Sequence, residues 1–285
     1  MHPKPYLNIE NVKAKFPDIQ NLELFDVGGQ KIVYKGIHST YGEIMLKFFK
    51  TNEMDPRIKR EIEIAKKLIH ENIPKLYFAG TIEFDEGKSK TVFLIEEYIN
   101  GITLRNYIQQ NDIEIKQLKI FIETIFSILD LLKTKNMVHR DLKPENIMVK
   151  DNLFYILDFG IARILGDESI TNSSSPMGPH TLGYAPWEQI NNEKYMINEK
   201  TDLFSMAVIS QEMITKEHPF FYDINSGTNA LAQTKDMQIK PLAITSPCKN
   251  KLEPFLHTLM SKAPSSRPTL EIAKDWFNEF KEEMI

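Results

Sequence analysis

Four side chains within eighteen residues have the types and the spacing to move a phosphoryl group. Three lie in the run His139-Arg140-Asp141-Leu142-Lys143-Pro144-Glu145-Asn146, and the fourth, twelve residues beyond Asn146, opens Asp158-Phe159-Gly160. Asp141 can orient an incoming hydroxyl and accept its proton. Lys143 can neutralise charge on the group in transit. Asn146 and Asp158 offer the hard oxygen ligands that Mg²⁺ prefers. An isolated Asp-Phe-Gly is a weak signal, since any turn can carry it. Its distance from the longer run is what gives it weight.

Composition bounds the reading without identifying it. A chain of 285 residues fits one large domain or two lobes sharing a cleft. A hydrophobic fraction of 42% and a charged fraction of 26% are ordinary for a globular protein with a core. The net charge of −4 argues against a general nucleic-acid binder. Cys248 is the single cysteine, which excludes an intramolecular disulfide and a cysteine-based zinc site. No apolar run approaches a membrane span, and Met1-His2-Pro3-Lys4-Pro5 does not read as a signal peptide. The expectation is a cytoplasmic protein with no membrane partner.

The elements that must position these groups fall into two patterns. From Leu22 to Tyr98 the chain is β-rich. Ile32-Val33-Tyr34 and Ile44 to Phe49 read as strands around a turn at Gly42, and Thr91 to Ile95 as another. Asp55-Pro56 opens a helix with apolar rhythm through Ile64, Ala65 and Leu68. Asn100-Gly101 then breaks the chain. Beyond it Leu118, Phe121, Ile122, Ile125, Leu129 and Leu132 repeat at helical spacing, with further helices from about Leu203 to Ile214 and from Thr269 to Phe280. The expected class is α+β: a small β-rich lobe with one main helix over a larger, mostly helical lobe. The expected boundaries are an arm at 1–21 packing on the first lobe, an N-lobe at 22–99 and a C-lobe at 100–285.

The 139–146 run with Asp158-Phe159-Gly160 resembles the catalytic core of the eukaryotic-like Ser/Thr protein kinases. Gly183-Tyr184-Ala185-Pro186-Trp187-Glu188 is similar to the segment that ends their activation loop, with the look of bacterial members. The resemblance covers about residues 22 to 280 and implies a bilobal kinase fold using ATP and Mg²⁺. It makes Lys47 the phosphate-binding lysine and Glu61 its helix-borne partner, although either alone reads as a surface charge. Asp141 becomes the proton acceptor with Lys143 beside it, and Asn146 and Asp158 the metal ligands. Val33 would cap the adenine, with Met45 on the roof and Met148 on the floor. The Glu97 carbonyl and the Ile99 backbone would bond its edge. Glu96 falls behind the purine, where a buried carboxylate must be paired or protonated. Accepting from the adenine amino group and approaching Lys47 are its two options.

The glycine-rich loop departs from the family. Only Gly28 falls on an expected glycine; Asp26, which would repel a triphosphate unless turned outward, and Lys31 replace two others. Lys31 either points into water or sits over the γ-phosphate. In the family, an arginine placed as Arg140 is meets a phosphate on the loop from Asp158 to Glu188. That loop holds Ser169, Thr171, Ser173, Ser174 and Ser175. Thr181 matches the threonine that bonds the catalytic aspartate in Ser/Thr-specific enzymes. Asp202 would accept from the 139–146 backbone, and Glu188 with Arg267 would form a buried ion pair. The implied activity is transfer of the ATP γ-phosphoryl group to Ser/Thr hydroxyls of protein substrates. Autophosphorylation of the 158–188 loop through transient self-association is implied with it. A pseudokinase acting as a binding module and a small-molecule phosphotransferase are the alternatives.

Overall fold

A computed structural model describes residues 7–28, 31–50, 56–84, 89–159, 163–164, 183–220 and 238–285. The chain divides into two compact units between Asn100 and Gly101.

In the first unit five antiparallel strands form one sheet. They are β1 (Ile19–Val27), β2 (Lys31–His38), β3 (Gly42–Phe49), β4 (Leu76–Phe84) and β5 (Ser89–Glu97), in the order β1-β2-β3-β5-β4. Gly42 enters β3 at φ 75°, a left-handed value that glycine adopts without a Cβ clash. Alternation along the strands sorts the side chains onto two faces. Ile44, Leu46 and Phe48 of β3 share one face with Ile32 and Tyr34 of β2 and with Phe93 and Ile95 of β5. Helix α1 (Ile9–Lys15) contributes to this core through Val12, and Leu7 just before it does the same. The Tyr34 hydroxyl donates to the Leu7 carbonyl inside it. Burying each large apolar side chain here is worth about 1.5–3 kcal/mol.

The opposite face carries the candidate nucleotide residues. Register sets Val33 across from Lys47, Met45 across from Glu96 and Lys47 across from Leu94. Helix α2 (Pro56–Lys67) packs on this side, with Ile58 and Ile62 against Phe49, Val92 and Leu94.

The second unit is mainly helical. Helices α3 (Leu104–Gln110), α4 (Ile115–Thr134), α5 (Trp187–Ile190), α6 (Glu199–Thr215), α7 (Lys249–Leu259) and α8 (Leu270–Asn278) are accompanied by short strand pairs. Strands β6 (Ile102–Thr103), β8 (Ile147–Lys150) and β9 (Leu153–Ile156) form one small sheet. Strands β7 (Met137–Val138) and β10 (Arg163–Ile164) form another. At the start of β6 a Cβ on Gly101 would collide with the Val149 carbonyl oxygen, so only glycine permits this approach.

Every residue of the expected apolar stripe on α4 is buried. Helix α6 behaves differently. Thr201 through Met213 are buried on all sides, polar residues included. Ser205 donates to the Tyr184 carbonyl at 2.8 Å, and Gln211 to the Lys240 carbonyl at 2.8 Å. A helix buried all round has no amphipathic edge to mark its ends. Asn198 marks the start instead, with a reciprocal cap to Thr201. Helix α7 is absent from the sequence expectations because Pro254 lies inside it, where proline ordinarily breaks a helix.

Candidate active site

In the second unit, buried strand β7 delivers the chain to His139, and Asp202 near the start of α6 fixes the backbone there. Its carboxylate accepts the main-chain N–H of His139 at 2.8 Å and of Arg140 at 2.9 Å. Gln189 donates its Nε2 to the Arg140 carbonyl at 2.6 Å. Arg140 stands at φ 73°, a left-handed conformation costing about 1–3 kcal/mol for a side chain of this kind. Those three bonds hold it there. Burial pushes the Asp202 carboxyl up to about 6, against the two N–H groups that favour its charge.

His139 is fully buried, its ring centroid 4.6 Å from that of Phe159. Its Nδ1 accepts the Asp141 N–H at 3.1 Å, which places the ring proton on Nε2. Burial pushes its pKa down to about 4, so the ring is neutral near pH 7.

Asp141 stands out from this buried frame. Lys143 Nζ lies 3.0 Å from its Oδ2, and Asn146 Nδ2 donates to the same oxygen at 2.7 Å. The Asn146 Nδ2 also reaches the Asp141 main-chain oxygen at 3.0 Å. The 3₁₀ turn over Pro144–Asn146 folds the carboxamide back onto Asp141. Leu157 then donates its N–H to the Asn146 carbonyl at 3.0 Å, which brings Asp158 alongside. Side-chain bonds from Asp202 and Gln189, the contacts of Lys143 and Asn146 with Asp141, and the Leu157 backbone bond together order the segments that carry the opening motif.

In the first unit the expected partnership of Lys47 with Glu61 is not the one formed. Lys47 Nζ lies 2.5 Å from Glu96 Oε2, with the two side chains 19% and 12% exposed. Glu61 pairs with Lys31, whose ammonium also sits 5.2 Å from the centre of the Phe49 ring. The reason is register. Glu96 faces Met45, so it is the diagonal neighbour of Lys47 on the same face of the sheet, within reach of a long side chain. Of the two options open to Glu96, this is the approach to Lys47. With its side chain 16% exposed and paired to Glu61, Lys31 does not point into water.

Val33 and Met45 share the face of Lys47. Gly28 is half-buried and its carbonyl accepts from Lys50 Nζ, while Asp26 is exposed. Glu97 ends β5 with its N–H donating to the Lys75 carbonyl at 2.9 Å, and Ile99 is buried two residues on. Met148, half-buried on β8, faces Tyr155. Gly160, Ser169, Thr171, Ser173, Ser174, Ser175 and Thr181 lie outside the described residues.

The second unit's buried ion pair is legible in sequence, but a neighbouring network is not. Arg267 grips Glu188 through both terminal nitrogens, at 2.5 and 3.2 Å, with neither side chain exposed. Arg105 on α3 bonds Glu145 at 2.7 Å, Glu212 at 2.6 Å and the Tyr184 hydroxyl. Tyr184 donates in turn to Glu212 at 2.6 Å. Burial, followed by the charge of Glu212, pushes the Tyr184 hydroxyl well above its ordinary value. For Arg105 burial opposes the charge, but its bonds to Glu145 and Glu212 outweigh this and push it upward. The network ties the 139–146 run to α3, to α6 and to the stretch before α5. Its members come from four distant stretches with no fixed spacing, so no local signal announces it.

Comparison with known proteins shows the family. The family model of the protein kinase domain matches residues 22–277. A probable serine/threonine-protein kinase of Clostridium acetobutylicum is 27% identical over 254 residues, covering 86% of this chain and 37% of its own length. Serine/threonine-protein kinase PknB of Mycolicibacterium smegmatis is 32% identical over 171 residues, 59% of this chain and 26% of the relative. Serine/threonine-protein kinase PrkC of Bacillus subtilis is 31% identical over 172 residues, with 59% and 25% covered. The chain spans about a third of the length of such relatives. It belongs to the protein kinase domain family, and the eukaryotic-like Ser/Thr kinases of bacteria are among the members it resembles.

Proposed function

We propose that this chain transfers the γ-phosphoryl group of ATP to Ser and Thr hydroxyls of protein substrates, with Mg²⁺ as the assisting ion. The observation that carries the reading is the Asp141 carboxylate held between Lys143 at 3.0 Å and Asn146 at 2.7 Å. Asp141 orients the acceptor hydroxyl and takes its proton. The hydroxyl oxygen bonds to the γ-phosphorus as the bond to the β-phosphate oxygen breaks, and ADP departs. Lys143 balances the charge that spreads over the moving phosphoryl oxygens.

The donor set fits magnesium. Among the described residues no group of three or more His, Cys, Asp or Glu side chains stands ready for a metal. Asp158 and Asn146 would hold such a cation, with phosphate oxygens and water supplying the remaining ligands, as suits Mg²⁺. With Asn146 Nδ2 committed to Asp141, the end of the carboxamide left for a cation is Oδ1. When bound, the ion neutralises the phosphates and aligns them for transfer.

In the first unit Lys47 takes the α and β phosphates, with the Gly28 backbone as a second phosphate contact. Val33 and Met45 cover the adenine, and the backbone of Glu97 and Ile99 bonds its edge. Met148 on β8 is the second unit's candidate nucleotide-binding residue. Arg140 receives a phosphate placed on the 158–188 loop by autophosphorylation between transiently associated copies. Ser169, Thr171, Ser173, Ser174 and Ser175 are the candidate acceptors. Thr181 is the candidate hydroxyl partner of the catalytic aspartate. No helix among the described residues is long and apolar enough to cross a membrane.

Intact-mass spectrometry after incubation with Mg²⁺-ATP tests the reading, beside Asp141→Asn and Asp158→Asn controls. The wild type is expected to gain phosphates, with each variant slowed about 10²-fold or more. A wild type that neither gains phosphates nor transfers them to a mixed Ser/Thr peptide library sinks the proposal. Equal transfer by wild type and Asp141→Asn removes Asp141 from its role.

A further inference from the structure

We infer that Glu96 of β5 is the positioning carboxylate of Lys47, and that Glu61 of α2 serves Lys31 instead. This rests on the kinase reading for what Lys47 holds. Four charged side chains gather on the α2 side of the sheet, and they pair as Lys47 with Glu96 and Lys31 with Glu61. A lysine side chain has four rotatable bonds and about 2 kcal/mol of rotamer entropy to lose. It needs a fixed partner if its ammonium is to meet phosphate in one place. Glu96 supplies one at 2.5 Å from an adjacent strand of the same ladder. The ammonium has three donors and Glu96 takes one, which leaves two for phosphate oxygens.

The pairing also answers how Glu96 is tolerated with its side chain only 12% exposed. Its charge is compensated on the sheet itself, independent of any ligand. Both partners sit on strands whose register is locked by backbone bonds between β3 and β5. Helix α2 has no share in it. A shift of α2 therefore breaks the contact of Glu61 with Lys31, while Lys47 keeps its carboxylate. The phosphate-binding lysine of this chain is set by the sheet rather than by the helix.

Double-variant cycles in nucleotide-free protein test the pairing, read as urea midpoints. Lys47→Met and Glu96→Gln are expected to be non-additive, the double variant shifting the midpoint no further than the larger single change. Lys47→Met and Glu61→Gln are expected to add. Coupling of Lys47 to Glu61 with additivity toward Glu96 overturns the inference.

Kinetics test the positioning role. Glu96→Gln is expected to raise KM for ATP about tenfold with a smaller change in kcat. Glu96→Asp should recover part of the loss, and Glu61→Gln should raise KM less than Glu96→Gln. The reverse order of the two glutamines overturns the role. A wild type without nucleotide binding would instead sink the kinase reading, and the cycles would still decide whether Glu96 holds Lys47.

Discussion

Glu188 and Arg267 in the second unit meet as a two-point fork with neither side chain exposed. The other Arg267 bonds go to the main-chain oxygens of Ser261, Lys262 and Lys200, and the guanidinium lies 4.8 Å from the Phe204 ring centre. Lys47 and Glu96 in the first unit meet at one point, partly open to water, and the lysine keeps donors to spare. The closed fork has its bonding capacity filled by the protein and can only hold the fold together. The open pair keeps capacity for something outside it. Both pairs are ionic, and accessibility decides which is structural and which is fit to bind a ligand.

The largest effect that would sharpen this contrast is on the closed fork. Glu188→Gln strands a buried guanidinium and is expected to lower stability by about 3–5 kcal/mol, measured by urea unfolding. Glu96→Gln in the same assay should cost clearly less, because water reaches the lysine left behind. Similar losses for both would break the distinction.

Asp202 offers a smaller test on the closed side. Asp202→Asn leaves one acceptor and one donor facing two main-chain N–H groups, so one of them loses its bond. The expected loss is about 1–3 kcal/mol. Phosphoryl transfer should fall with it, since the same bonds set the Arg140 backbone ahead of Asp141.

The smallest effect is on pH dependence. His139 falls from an ordinary 6.5 to about 4, so its contribution to stability is lost as pH drops from 6.5 through 4. Asp202 rises from 3.8 to about 6, so its contribution is present below 3.8 and lost as pH rises through 6. Between pH 4 and 6 the two oppose each other. Asp202→Asn removes the opposing member and should lose about 1 kcal/mol more than wild type between pH 7 and 5. Urea midpoints at the two pH values measure it, and parallel losses would dissociate Asp202 from the acid response.

Legibility in sequence tracks how local each feature is. Asp141, Lys143 and Asn146 lie on one turn of chain, so spacing alone brings them into view, and Leu157 closes the short loop that adds Asp158. The stripe of α4 is legible because one of its faces is core. Helix α6 can be found but not bounded, being buried on every side. The resemblance puts Glu61 beside Lys47 whereas the structure pairs Lys47 with Glu96, a choice that depends on strand register. The Arg105 network gives no signal at all, since Glu145, Tyr184 and Glu212 meet it only after folding.

Residue order alone settles the chemical inventory and the class: which acids, amides and lysines are available, and a β-rich stretch ahead of a helical one. Those depend on residue type and short-range period, which need no knowledge of distant neighbours. Folding in three dimensions settles who pairs with whom. Charge pairing is a matter of a few ångströms between side chains many positions apart. Lys47 and Glu96, forty-nine residues distant in sequence, are joined at 2.5 Å only because β3 lies beside β5 in one particular register.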